Sequence, residues 1–255
     1  MEPTIQTTQP SVGTSRRNTM TSFGFILGIS LIISTVIAGG MLYQIRALDS
    51  TLSVTGSAKK RVTSDSVKWT SSMTRIVKAS GIKAGYDQMN KDLESVKAFF
   101  TEQGIALDQV TISPIMMNQN YDYQAQPGVE KEYTLMQTFD ITSGDVQKIT
   151  QVAKNTQAII NKGVIFSTGS LEYYYTKLPE ERVTLLAQAI TDAKARASTI
   201  AQSGGKSIGS LKSASSGVVQ VVSFGSNDVS DYGMYDTSRI EKEIMVTVKA
   251  AFTLK

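Results

Sequence analysis

Hydrophobic residues follow two regimes along this chain, one unbroken apolar block near the start and then short periodic patterns to the end. The block, Phe23 to Leu42, reads FGFILGISLIISTVIAGGML and carries no charge. At about 1.5 Å of rise per residue, a helix of that length crosses a hydrocarbon core of about 30 Å. The pattern from Tyr43 onward is that of a chain that folds in water. Three regions are therefore expected: a disordered Ser/Thr/Gln-rich tail (1–22), a transmembrane anchor (23–43) and one globular part (44–255). Arg16 and Arg17 precede the block and only Arg46 follows it closely, so the positive-inside rule places the tail in the cytoplasm and 44–255 on the far side. A cleaved signal peptide is the rival, with small residues around Val36-Ile37-Ala38. The block is too long for a usual signal core and stays apolar past that site, which favours an anchor.

Beyond the anchor, Thr51 to Gly56 predicts a short strand, a turn follows at Ser57–Arg61, and a longer strand runs from Val62 to Lys78. The period then changes. Tyr86, Met89, Leu93, Val96 and Phe100 step by three and four along one helix face, and Gly104 stands where a C-cap belongs. Strands are expected again at Val110–Asn118 and Glu132–Ile141, joined by a Tyr/Gln/Pro/Gly-rich loop, Gln119 to Lys131. A second helix, Asp145–Asn161, would bury Val146, Ile149, Ala153 and Ile160, with Gly163 ending it. Val164–Tyr175 reads as a strand carrying Leu171, Tyr173 and Tyr175 on one face. The third helix has the clearest signals: Pro179 and two glutamates in its first turn, an apolar stripe of Val183, Leu186, Ile190, Ala193, Ala197 and Ile200, and Gly204-Gly205 as a stop. Its alanines predict close packing against a neighbour. Strands near Leu211–Phe224 and Ile240–Leu254 flank a loop from Gly225 to Thr237. The fold class is α+β, mainly antiparallel sheets covered by three helices, preceded by a single N-terminal transmembrane helix.

Composition narrows the chemistry. The chain has no histidine and no cysteine, which removes His- and Cys-dependent nucleophilic systems and the usual zinc, haem and iron–sulfur ligand sets. Carboxylate acid–base chemistry stays open, but no carboxylate pair stands at a compelling spacing. A net charge of +4 with pI about 9.1 reads as solvated surface, and no nucleic-acid partner is expected. Gly204-Gly-Lys-Ser207 lacks the first glycine of a phosphate loop, where Ile200 stands, and it follows a helix instead of preceding one. Ser57-x-x-Lys60 and Ser203-x-x-Lys206 match a serine–lysine spacing but lack the partner motifs of such enzymes. Asp228 to Gly233 begins like a calcium loop, yet Arg239 occupies the position of its bidentate glutamate. Tyr173-Tyr174-Tyr175 alternates across a strand, with two rings expected to pack and one to be exposed. Lys59-Lys60-Arg61 reads as a solvated turn in preference to a headgroup contact, and Gly24-x-x-x-Gly28 would allow close helix–helix approach. No catalytic, cofactor-binding or metal-binding residue is assigned, and no cofactor is expected.

The order of several motifs resembles one family. Thr51-Leu-Ser-Val-Thr-Gly56 after an export segment, Gly104-Ile-Ala-Leu-Asp108 leading into Ile112-Ser-Pro114 and Tyr121-Asp-Tyr123, and above all Ala187-Gln-Ala-Ile-Thr-Asp-Ala-Lys-Ala-Arg-Ala197 with Ile200-Ala201 and Gly204 are similar to SIMPL-domain proteins. That family comprises bacterial periplasmic and outer-membrane immunogenic proteins. The resemblance covers about residues 50–255. It implies an α+β domain and, in some members, ring-like or channel-like homo-oligomers, and it supplies no catalytic residues. The retained tail and anchor depart from members with a cleaved signal. The expectation is a non-enzymatic, single-pass bacterial inner-membrane protein, held in the lipid bilayer through residues 23–43, with residues 44–255 periplasmic. It would self-assemble into a ring, channel or shell. The alternative is a ligand-binding or carboxylate-based enzymatic domain acting on an envelope polymer, with its small-molecule ligand left open.

Overall fold

The structure, a computed structural model, describes residues 15–48, 50–121, 128–226 and 232–255. These sort into two units, one drawn from Met1–Ser53, Ala197–Ser213 and Ala251–Lys255, the other from Val54–Arg196 and Ala214–Ala250.

The first unit holds helix α1, Ser15–Leu48. It begins earlier than expected: residues 15–22, read from sequence as disordered tail, are helical, while 1–14 lie outside the described residues. Its window Phe23–Gln44 has a mean hydropathy of 2.3 and none of it is buried, so the helix is long and apolar enough to cross a membrane. Anchors and signal sequences share that property. The hydroxyls of Ser30, Ser34 and Thr35 donate to carbonyls one turn back, at Leu27, Ser30 and Leu31. Polar side chains inside the apolar run are thereby satisfied without water.

In the second unit, strands β2 (Ser66–Lys78), β3 (Val110–Ile112), β4 (Met116–Asn120), β5 (Glu132–Ser143) and β6 (Ile165–Tyr174) form an antiparallel sheet. Its order is β3-β5-β2-β6, and β4 also pairs with β5. The strand expected over 110–118 is broken at Ser113-Pro114, where proline offers no ladder donor; Ser113 N instead reaches Thr138 O at 2.9 Å. Helix α2 (Ile82–Glu102) ends at Gly104, φ +69°, with Ile105 N bonded to Phe100 O and Gly104 N to Thr101 O. This is the glycine-terminated double hydrogen bond that satisfies the last carbonyls. The expected helix over 145–161 is two, α3 (Val146–Lys154), capped by Asp145, and α4 (Gln157–Asn161). The break at Asn155-Thr156 resets the helical phase, so Ile159 is buried and Ile160, expected inside, is exposed. Trp69, Phe99, Phe100, Phe139 and Phe166 fill the space between sheet and helices, with ring centroids 5.7 to 6.4 Å apart and mostly edge-to-face.

Strands β1 (Thr51–Thr63), β7 (Ile208–Ser223) and β8 (Glu241–Leu254) form a second sheet of order β1-β8-β7. The turn expected at Ser57–Arg61 is strand; the reversal lies at Ser64-Asp65. There Ser64 donates twice to Ile240 O, and the Asp65 carboxylate accepts from both the backbone N and the hydroxyl of Thr176. The three basic residues are held by partners: Lys59 by Glu243 at 2.7 Å, Lys60 by Glu181 at 2.6 Å and Arg61 by Glu241 at 3.0 Å. Helix α5 (Leu178–Ser203) buries Leu185, Ala189, Ala193, Ala197 and Ala201. Val183 and Ile200, expected in that stripe, are exposed, because the buried row steps strictly by four and runs along the alanines. The α5 backbone rests on β1 at Gly56, where an added Cβ would overlap the Ala189 carbonyl and lie 2.7 Å from the Ala193 Cβ. Only glycine admits that approach.

Candidate functional site

A strand packed on one face buries alternate residues. β1 and β8 obey this rule and β7 does not: its nine residues from Ser210 to Val218 are all exposed, and only Gln220 to Ser223 turn inward. Among the described residues β7 has β8 as its one neighbour in sheet order, so its other side presents a row of backbone donors and acceptors. Proteins usually blunt such an edge with charge, proline or a bulge. The stretch SLKSASSGV has one charge, Lys212, and no proline. At Gly217 the Thr247 side chain lies across the strand in the space a Cβ would need.

Beyond that stretch, the chain forms a polar lock. Val221 pairs in parallel with Tyr235, and Val221 N and Asp236 N complete the bridge by donating to Met234 O and Val221 O. Tyr173 N donates to Thr237 O, Tyr175 N to the Tyr235 hydroxyl, and the Tyr235 ring stacks on Tyr174 at 5.9 Å. Beneath this segment Lys242 is fully buried and donates to Asp236 O, its Nζ 5.7 Å from the Tyr235 ring. Burial pulls the lysine below its ordinary range, against the opposing charge of Asp236. The Ser223 hydroxyl bonds the Asp236 carboxylate and holds it down to about 2, with Ser238 N adding to the effect. Every group in this cluster is engaged by another, an arrangement suited to fixing a segment in place.

A third feature is a cleft of about 470 Å³ lined by Lys78, Gln119, Asn120, Tyr121, Val129, Glu130, Lys131 and Glu132. Glu130 is bonded by the Ser80 side chain and accepts from Ser80 N, and the two together draw its carboxyl below the usual range.

The sequence motifs resolve as structural parts. Gly204-Gly-Lys-Ser207 is the C-cap of α5, with Gly205 at φ +69° and Lys206 N bonded to Ala201 O. Ser57 N donates to Asp192, and the Ser203 hydroxyl donates to Thr199 O. Asp228 and Asp231 lie outside the described residues, as do 122–127 of the loop Gln119–Lys131. None of the three tyrosines is fully exposed, contrary to expectation: Tyr173 is buried against Thr150, Tyr174 is covered by Tyr235, and Tyr175 reaches Glu181. Lys242 was missed, although its parity with Ile244, Val246 and Val248 in β8 marks it as inward-facing.

A family model for SIMPL, described as a protein of unknown function (DUF541), matches residues 52–252. The chain belongs to the SIMPL family. The match opens in β1 and closes in β8, so the SIMPL domain takes in both sheets and all helices except α1. No curated protein matches this SIMPL chain.

Proposed function

We propose that this SIMPL protein is a membrane-tethered, non-enzymatic envelope component that assembles with copies of itself, its domain lying on the periplasmic side of a bacterial inner membrane. The observation that carries this reading is β7, a nine-residue edge exposed on both faces and almost uncharged. Left alone, such an edge pairs indiscriminately; a defined partner strand removes the hazard. Anchors confined to one bilayer raise the effective concentration for lateral contact, and identical subunits usually close into symmetric assemblies.

The direction of the strands favours a ring. Ser207 and Lys255 bond reciprocally, and Phe224 N donates to Glu241 O, so β7 runs antiparallel to β8. Leu254 N donates to Ser50 O, and Arg61 pairs with Glu241, so β1 does the same. β1 and β7 are thus parallel edges that both start at the anchored end. Pairing β7 of one copy with β1 of the next keeps every anchor on the same side and propagates head to tail. Antiparallel β7–β7 pairing would send the two anchors in opposite directions.

The test is the mass of the full chain extracted in mild detergent. A closed oligomer is expected, reduced to monomer by Ala214→Lys with Ser216→Lys while the thermal midpoint stays within a few degrees. A wild-type chain that is monomeric at micromolar concentration overturns the proposal. The second reading, a ligand-binding or carboxylate-based enzyme, draws on the cleft beside β4. A carboxyl acting as general acid needs a raised pKa, and the shift at Glu130 runs the other way.

A further inference from the structure

The unit that contains α1 has one-sided charge. Its described residues beyond the helix, 50–53, 197–213 and 251–255, include Lys206, Lys212 and Lys255 and no aspartate or glutamate. All three lysines are exposed. Lys255 is laid across β7, its Cε 3.1 Å from where a Cβ on Gly209 would stand, so the absence of a side chain there makes room for its stem. Lys206 projects from the C-cap of α5, next to Ser207, whose N and O both bond to Lys255.

This rim cannot stray far from the apolar span. α1 continues four residues past Gln44, to Leu48, which adds about 6 Å at helical rise. Ser50, two residues further, is bonded to Leu254 at 2.9 Å, and two residues of extended chain reach at most about 7 Å. Ser50, with Leu254 bonded to it and Lys255 next in sequence, therefore lies within about 13 Å of the end of the hydrophobic span; Lys206 adjoins Ser207, which bonds Lys255, whereas Lys212 stands five residues past Ser207 along β7, about 16 Å on at strand rise. A headgroup layer of about 5–8 Å and a Debye length of about 8 Å cover the first of these distances. Along the sequence of the connection, Arg46 adds a fourth base and Asp49 the one acid.

We propose that the rim carrying Lys206 and Lys255 docks on anionic phospholipid headgroups and sets how the domain stands on the bilayer. The inference rests on α1 being a retained anchor. A lysine close to an anionic surface shifts the docked-to-free ratio about five-fold, so the two together produce an effect that salt screens.

Because the chain has no cysteine, Ser207→Cys carries a single fluorophore. The labelled full chain is reconstituted into vesicles containing lipids with a headgroup quencher. One set is phosphatidylcholine alone and the other also contains phosphatidylglycerol. Quenching is expected to rise several-fold with phosphatidylglycerol and to fall again at high salt. It should disappear in Lys206→Gln/Lys255→Gln and persist when the same two positions become arginine. Equal quenching in both lipids, or full quenching in the glutamine variant, overturns the proposal. Flotation separates the two ways of failing. A chain that leaves the vesicles overturns the anchor and the docking with it, whereas one that floats yet shows no lipid dependence overturns the docking alone.

Discussion

Between β2, β5 and β6 and their helices, the core is made of rings; where α5 crosses β1, it is made of alanines against a glycine. Phe100 touches Trp69, Phe99, Phe139 and Phe166, whereas Ala189 and Ala193 bring the α5 backbone onto Gly56 with no intervening side chain. Both regions are buried and both follow their secondary-structure periods. They differ in the volume left between backbones, and so in the kind of substitution each withstands. A ring core is broken by removing atoms, an alanine seam by adding them.

The largest effect should come from deletion on the ring side. Phe100→Ala removes a fully buried ring with four aromatic neighbours, and the expected loss is about 3–5 kcal/mol, read as a lower urea midpoint at unchanged slope. A loss under about 1 kcal/mol would mean that the rings are not the main filling. The counterpart on the other side is Ala193→Leu, where three added carbons meet the β1 backbone. Overpacking at such a site costs about 2–3 kcal/mol, while the same enlargement at exposed Ala195 should be neutral. Equal effects at 193 and 195 would remove the distinction between seam and surface.

How much of this was legible beforehand depends on what each pattern reports. Element order and the three glycine helix ends, at Gly104, Gly163 and Gly205, followed from period and glycine placement, because a stripe at steps of three and four and a glycine at a left-handed position have few other uses. The α5 stripe was misplaced at both ends. Val183 and Ile200 are the more apolar residues, and hydrophobicity outweighed the evidence of spacing; the buried row is chosen by size, since only alanine lets the backbones meet. The break at Asn155-Thr156 carries no proline or glycine and left no local mark. The run Ser57–Arg61 looked like a turn because it is basic, yet its charges are met by Glu243, Glu181 and Glu241, partners 121 to 184 residues away. The β7 edge was hidden for the opposite reason. A strand exposed on both faces resembles a polar loop in composition, and only its pairing with β8 reveals it. Nothing of the polar lock was read from the sequence; the inward parity of Lys242 was its one available mark, and the distant chain segments around it come together through the fold.

That lock gives the next prediction, intermediate in size. Asp236 titrates at about 2 in the folded protein against an ordinary value of 3.8. A depressed carboxyl stabilises the fold above its unfolded value, and that contribution is lost as pH falls through the folded one. The stability gap between wild type and Asp236→Asn should therefore be constant above about pH 5, amount to about 2 kcal/mol, and close between pH 4 and 2. Urea midpoints measured for both proteins across that range decide it; a gap that widens toward acid would reverse the sign and reject the assignment. Ser223→Ala, which removes the carboxylate's hydroxyl donor, should move the closure to higher pH.

The smallest expected effect separates the alanine seam from the charges beside it. Lys59 and Glu243 bridge β1 and β8 at 2.7 Å, but the lysine side chain is 55% exposed. An exposed pair gains little in high dielectric, and ordering two long side chains offsets part of that gain. A double-mutant cycle with Lys59→Met and Glu243→Met should give a coupling below about 1 kcal/mol, shrinking further as salt rises. A coupling near 3 kcal/mol, insensitive to salt, would mean that β1 is held to β8 chiefly by charge, and the close contact at Gly56 would lose its place as the feature that seats α5 on this sheet. The geometry argues for the small value. Lys59 stands on the solvent side of β1, and its neighbours Lys60 and Arg61 already engage Glu181 and Glu241, so losing one bridge leaves the strand's register defined by backbone pairing and by the buried side chains of Val54 and Val62.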